Sequence, residues 1–129
     1  MRYLTIFRSQ ESENPPTEAE MAAMGELIQD MITAGVLVTA EGCLPSRSGF
    51  RVRREGNQVS RTDGPFTETK EVIGGFAILE VASQAEAEHW TRRFLEVVGD
   101  GESEVRLLHE QPATAAGQAP PAEVSLEPR

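Results

Sequence analysis

Residues 2–8, RYLTIFR, alternate polar and apolar side chains and are rich in β-branched and aromatic types, which predicts a first strand. Pro15 and Pro16 interrupt the following polar run. Thr17 then stands three residues before Glu20, the spacing at which each side chain satisfies the other's exposed backbone N–H, so a helix is expected to start here. Met21, Met24, Leu27, Ile28, Met31 and Ile32 recur at steps of three and four and form one apolar stripe, which Gly35 ends.

Downstream, Val36 to Leu44 and Gly49 to Arg54 read as strands, and Glu55-Gly56-Asn57 turns into a third that ends near Arg61, together a meander. GGFAILEVA, residues 74–82, reads as a well-buried central strand. Ser83 caps a second helix with Ala87, Trp90, Phe94, Val97 and Val98 on one side; Gly99 and Gly101 precede a last strand, Glu104 to His109. This succession predicts an α+β subunit, a split βαβ arrangement repeated with an extra β-meander between its halves. Helices on one face of such a sheet leave the other face without cover, and a second copy of the chain is the economical cover. PATAAGQAPPAEVSLEPR has no periodicity, so residues 1–111 are expected to form one domain and 112–129 a flexible Pro/Ala/Glu-rich tail.

Composition narrows the functional classes. With 129 residues, 39% hydrophobic and 26% charged, the chain has the balance of a single soluble domain. The 21 acidic against 12 basic residues give a formal charge of -9, which repels nucleic-acid phosphates unless Arg47, Arg51, Arg53, Arg54 and Arg61 form a local stripe. No aromatic platform is read among them, and no nucleic-acid partner is expected. The short apolar start, broken at Arg8, and the lack of a run of about 18 apolar residues predict neither a signal peptide nor a membrane span, hence a cytoplasmic protein. A single cysteine, Cys43, excludes an internal disulfide and is read as a small buried side chain. His89 and His109 stand apart from one another and from Cys43, so neither a metal nor another cofactor is expected. Trp90 and the four methionines are assigned to helical core faces.

The segment TDGPFTETKE, residues 62–71, holds the candidate chemistry. Asp63-Gly64-Pro65 is a turn by residue type, with Phe66 expected to anchor it in the core. Beyond it, Glu68, Lys70 and Glu71 precede Gly74 and Gly75, where a ligand or another backbone can approach closely. Carboxylates converging on a low-dielectric wall can share a proton, which makes Asp63, Glu68 and Glu71 the acid/base candidates. Arg61, Lys70, Gly74 and Gly75 would then contact the ligand. The same residues can equally form a charged loop that fixes strand register or an intersubunit contact.

DGPFTETKEVIGGF resembles the signature of the DGPF, or YCII-related, family, through Asp63, Gly64, Pro65, Phe66, Glu68, Lys70, Glu71, Gly74, Gly75 and Phe76. The start MRYLTIF and the run at Ala34 to Leu37 are also similar to that family. The resemblance implies a ferredoxin-like subunit in a homodimer of the dimeric α/β-barrel type. The charged cluster beside Gly74 and Gly75, reinforced by this resemblance, points to a small molecule bound beside the DGPF loop; the alternative is an interaction module for a regulatory protein such as a sigma factor, and the resemblance leaves enzyme activity open. The wider group's His-Asp pair has no counterpart here, since His89 lies in the second helix and His109 at the end of the last strand.

Overall fold

The computed structural model describes residues 1–12 and 14–110; the tail expected over 112–129 lies outside the described residues. The elements run β1 (Arg2–Ser9), α1 (Glu18–Thr33), β2 (Leu37–Gly42), β3 (Phe50–Glu55), β4 (Gln58–Asp63), β5 (Val72–Glu80), α2 (Gln84–Val98) and β6 (Glu102–Leu107), with a 3-10 turn at Ser46–Ser48. Four strands form one sheet in the order β2-β5-β1-β6, antiparallel throughout. With one helix after β1 and the other after β5, this α+β arrangement is compatible with a ferredoxin-like fold.

Both helices begin and end where local chemistry dictates. At α1 the Thr17 hydroxyl accepts from the Glu20 N–H at 3.1 Å, and the Glu20 carboxylate accepts from the Thr17 N–H at 2.8 Å. At the other end Gly35 takes φ +74°, its N–H donates to the Ile32 carbonyl, and the Val36 N–H donates to the Met31 carbonyl, both at 3.0 Å. This Schellman stop satisfies two of the carbonyls that a helix end leaves bare and drops Val36, 3% exposed, into the core. Ser83 caps α2 by accepting from the Glu86 N–H at 3.1 Å.

Strand alternation sorts the sheet's side chains. Tyr3 and Leu79, paired across β1 and β5, face the helices and pack with Leu27, Met31, Ala87 and Trp90. On the far face the register pairs Leu4 with Ile78 and Ile6 with Phe76. Phe76 is 38% exposed and Val38 on β2 51%, so that face carries an open apolar patch in the single chain, flanked by Arg106 and Glu104 of β6 and Glu41 of β2.

Several expectations are revised. β3 and β4 pair with each other as a separate two-stranded sheet, not as a meander continuing from β2. The reason lies between Gly42 and Phe50, where Pro45 and the 3-10 turn lead the chain away from the sheet. Because β2 stops at Gly42, Cys43 is exposed instead of buried. β5 is central, but only its helix-facing half is covered. The α1 stripe is wider than the face it buries, with Met21 and Ile32 both more than half exposed; Met24 and Met31 face the core, whereas Met1 and Met21 do not. The last strand ends at Leu107, leaving His109 outside it.

Leu79 is 2% exposed between β1, β2 and the helices. Leu79→Ala is expected to lower stability by about 2–5 kcal/mol. The check is the urea midpoint at fixed protein concentration, and an unchanged midpoint would remove Leu79 from the core.

Candidate functional site

The DGPF segment is built around Ser46, which is 8% exposed. The Ser46 hydroxyl accepts from the Phe66 N–H at 3.1 Å and donates to Glu11 Oε1 at 2.7 Å, while the Ser46 N–H donates to the other Glu11 oxygen. These bonds hold the Glu11 carboxyl below its usual range, first through the Ser46 N–H and then through its hydroxyl. Gly64 lies against this turn across a cis Gly64–Pro65 bond, and its N–H donates to the Gly49 carbonyl at 2.9 Å. A Cβ at Gly64 would fall 1.8 Å from the Ser46 carbonyl oxygen, so glycine is required there by close backbone approach.

Charged groups of the segment turn outward. Glu68 accepts from Arg51 at 2.6 Å, and the Arg51 guanidinium lies 3.7 Å over the Phe66 ring. Phe66 is therefore half-buried beneath an arginine, not anchored in the core as expected. The Glu68 carboxyl is held below its usual range by its own backbone N–H first and by Arg51 second. Asp63 pairs with Arg61 at 3.0 Å, and Arg61 stacks 4.1 Å over Phe50. Thus two aromatic rings do lie among the arginines, contrary to the expectation of none. Lys70 and Glu71 are exposed. The structure joins Asp63 to Arg61 and Glu68 to Arg51, but does not bring the three carboxylates together.

A cavity of about 380 Å³ lies between the sheet and the helices. Its origin is a row of small residues. Across the sheet the register sets Leu37, Leu79 and Tyr3 in one large row and Ala40, Ala77 and Thr5 in the next, so the helices rest on the first and leave space above the second. Gly42, Gly74 and Gly75 line one end of the cavity beside Glu41, and Phe7 and Trp90 wall it. A Cβ at Gly75 would sit 2.7 Å from the Glu41 carbonyl oxygen; the close approach anticipated at this glycine is made by the β2 backbone. Asp63, Glu68, Glu71, Arg61 and Lys70 are not among the lining residues.

The clasp and the cavity are connected through the chain. The Cys43 N–H donates to the Gly74 carbonyl at 2.9 Å, and the stretch leaving β2 reaches Ser46 while the DGPF stretch leads from it back to Gly74. Both stretches that border the rim are thereby tied at one serine.

Thr91 and Glu41 line the cavity and were not named from the sequence, whereas Trp90 was assigned to a core face. Trp90 is 8% exposed, and its indole N–H is buried without a hydrogen-bond partner among the described residues. Thr91 beside it is satisfied, donating to the Ala87 carbonyl at 2.8 Å. The signal for Thr91 was a polar residue beside a face otherwise made of Ala87, Trp90, Phe94, Val97 and Val98. Among the described residues no group of three or more His, Cys, Asp or Glu side chains is placed to hold a metal ion. No described helix is long and apolar enough to cross a membrane.

The family model of the YCII-related domain matches residues 1–118. No curated protein matches the chain.

Two outcomes test the clasp. Gly64→Ala is expected to cost about 1–3 kcal/mol, because backbone and not a flexible side chain must move; denaturant unfolding reads this, and a neutral result would dissolve the clasp. The second concerns pH. The folded pKa of Glu11 is lowered, so its contribution is complete above the unfolded value of about 4.3 and is lost as pH falls through the lower folded value. The amide protection factor of Ser46 should fall over that acid range in the wild type and stay low and flat in Glu11→Gln.

Proposed function

The chain belongs to the YCII-related domain family, and from that membership together with its cavity we propose a small-molecule-binding protein that works as a homodimer. The observation that carries the reading is the cavity itself. Its size lies toward the small end of the roughly 300–1,000 Å³ usual for ligand sites, and its walls are mainly apolar with few polar groups. Gly74 and Gly75 enter as rim residues. Asp63, Glu68, Glu71, Arg61 and Lys70 enter as outer parts of the clasp, because their charges meet solvent and one another instead of the cavity. Binding without turnover fits best, since Glu41, the acidic residue among those lining the cavity, pairs with Phe76 on the far face and approaches Gly75 through its backbone carbonyl.

The dimer rests on the open sheet face. Leu4, Ile6, Phe76, Ile78 and Val38 form an apolar surface of the kind that marks an association site. Phe76→Glu should convert a dimer to a monomer in sedimentation, leaving far-UV circular dichroism unchanged; an unaltered sedimentation coefficient would detach this face from assembly.

The chain has one tryptophan, and it lines the cavity, so its fluorescence reports occupancy directly. A panel of small aromatic compounds is expected to change that emission saturably, and Ala77→Leu, which fills the floor, should abolish the change. Saturable binding that survives Ala77→Leu would place the ligand elsewhere.

One observation favours a second reading, a protein-interaction module. All twelve residues of β3 and β4 are exposed, and they combine Phe50, Val52 and Val59 with four arginines. Such an arm suits an acidic protein partner, a sigma factor being one example, and replacing the hairpin by a short loop would then remove the interaction while sparing ligand binding.

A further inference from the structure

We propose that the Thr5 hydroxyl is the polar contact on the floor of the cavity, and that the ligand is an uncharged, mainly apolar molecule whose one hydrogen-bonding group pairs with it. This rests on the binding reading above and extends it to a ligand class and a named contact. Tyr3, Thr5 and Phe7 alternate onto the helix-facing side of β1, where Tyr3 packs in the core and Phe7 meets Phe94 of α2 edge-on at 5.2 Å. Between them Thr5 is half-buried and lines the cavity. β1 is an inner strand, with Ala77 of β5 on one side of Thr5 and Val105 of β6 on the other, so the space that the Thr5 side chain meets is the one beneath the helices.

The hydroxyl is both free and reachable. It makes no hydrogen bond among the described residues, and it is not sealed off as the Trp90 indole nitrogen is. One donor and two lone pairs are therefore open to whatever occupies the cavity. Strand geometry does not ask for them, because valine has the same branched shape and would bring no polar atom to an apolar floor. Thr91, the second hydroxyl on the lining, has already given its proton to the Ala87 carbonyl at 2.8 Å. A hydrogen bond to Thr5 would form between apolar walls, where such a bond is stronger than in water.

The remaining walls decide the charge of the ligand. Lys, Arg and His are absent from the described lining residues, and Glu41 occupies the register position opposite Phe76, which faces away from the helices. An ion entering the cavity would shed its water and meet no opposite charge. A hydroxyl or carbonyl on an aromatic or aliphatic body meets no such penalty.

The experiment uses the full chain and three para-substituted toluenes, p-cresol, p-xylene and p-toluate, followed by calorimetry and by the Thr5 Cβ resonance in a carbon–proton correlation spectrum. The p-cresol hydroxyl can give or take the bond, and p-xylene puts a methyl group in its place. In Thr5→Val, which keeps the shape and removes the hydroxyl, the preference for p-cresol over p-xylene should fall about 10-fold from its wild-type value, equivalent to about 1.4 kcal/mol. Thr5→Ser should retain the preference, and p-toluate should bind most weakly throughout. In the wild type p-cresol should move the Thr5 Cβ resonance further than p-xylene does, a comparison that needs no variant to fold. An unchanged preference in Thr5→Val, a preference lost in Thr5→Ser, or equal shifts from the two neutral probes would overturn the role of Thr5 while leaving the cavity reading intact. Tightest binding by p-toluate would overturn the neutral class, and no binding by any probe would overturn both this inference and the reading beneath it.

Discussion

A sheet has two faces, and here two helices cover one of them; most of the structure follows from how that single contact is made. Tyr3, Leu79 and Leu37 form a tall row on which Leu27, Met31 and Trp90 rest. The neighbouring row is Thr5, Ala77 and Ala40, too short to reach the helices at the same height. Helices are stiff rods, so they bridge the low row instead of bending into it, and the unfilled volume becomes the cavity. The same strand that makes its floor turns Phe76 and Ile78 to the opposite side. Cavity and open face are therefore two consequences of one alternation.

The hairpin and the clasp are a separate construction added at the end of β2. The chain leaves the sheet at Gly42, passes Ser46, makes the β3–β4 arm and returns through Asp63 to Phe66. Ser46 receives both ends: its hydroxyl accepts from the returning Phe66 amide, and its hydroxyl and N–H each donate to an oxygen of the Glu11 carboxylate. Gly64 permits this because no side chain could occupy the space between the two stretches. Within the signature, Gly64 is set by backbone crowding, Phe66 lies under the Arg51 guanidinium, and Glu68 pairs with the same arginine.

Elements whose cause is local were legible in the sequence. The Thr17-Glu20 box, the Gly35 stop and the Ser83 cap each act within a few residues, and each occurs where the spacing put it. The strands were legible too, from period and residue type, although their ends moved by up to two residues. Long-range pairing was not. Whether Gly49 to Arg54 continues the main sheet depends on Pro45 and on the Glu11–Ser46 contact, 35 residues apart in sequence, and periodicity carries no such information. For the same reason the cavity was invisible: Ala40, Ala77 and Thr5 are unremarkable singly and become a low row only through strand register. Trp90 was read as packing because its face of α2 is apolar; the unpaired donor emerges only when its neighbours are known.

The sharing of β5 has a consequence for how assembly and binding interact. Ala77 and Leu79 face the cavity while Phe76 and Ile78 face the proposed dimer contact, with alternate residues on one backbone. A ligand that holds the cavity side in one arrangement restricts the same strand on the other side. Linkage makes any such coupling reciprocal, so a ligand favouring the paired form strengthens pairing by the factor by which pairing strengthens its binding. Equal affinity for both forms would leave assembly untouched, however tight the ligand. The stiffness of an antiparallel strand paired on both edges argues that coupling is small, since β5 is already fixed by β1 and β2 before either partner arrives. Gly74 is the exception: it sits at the register shift between Phe7 and Arg8, without a partner on β1, and is held by the Cys43 N–H, whereas Gly75 beside it is paired with both Phe7 and Gly42.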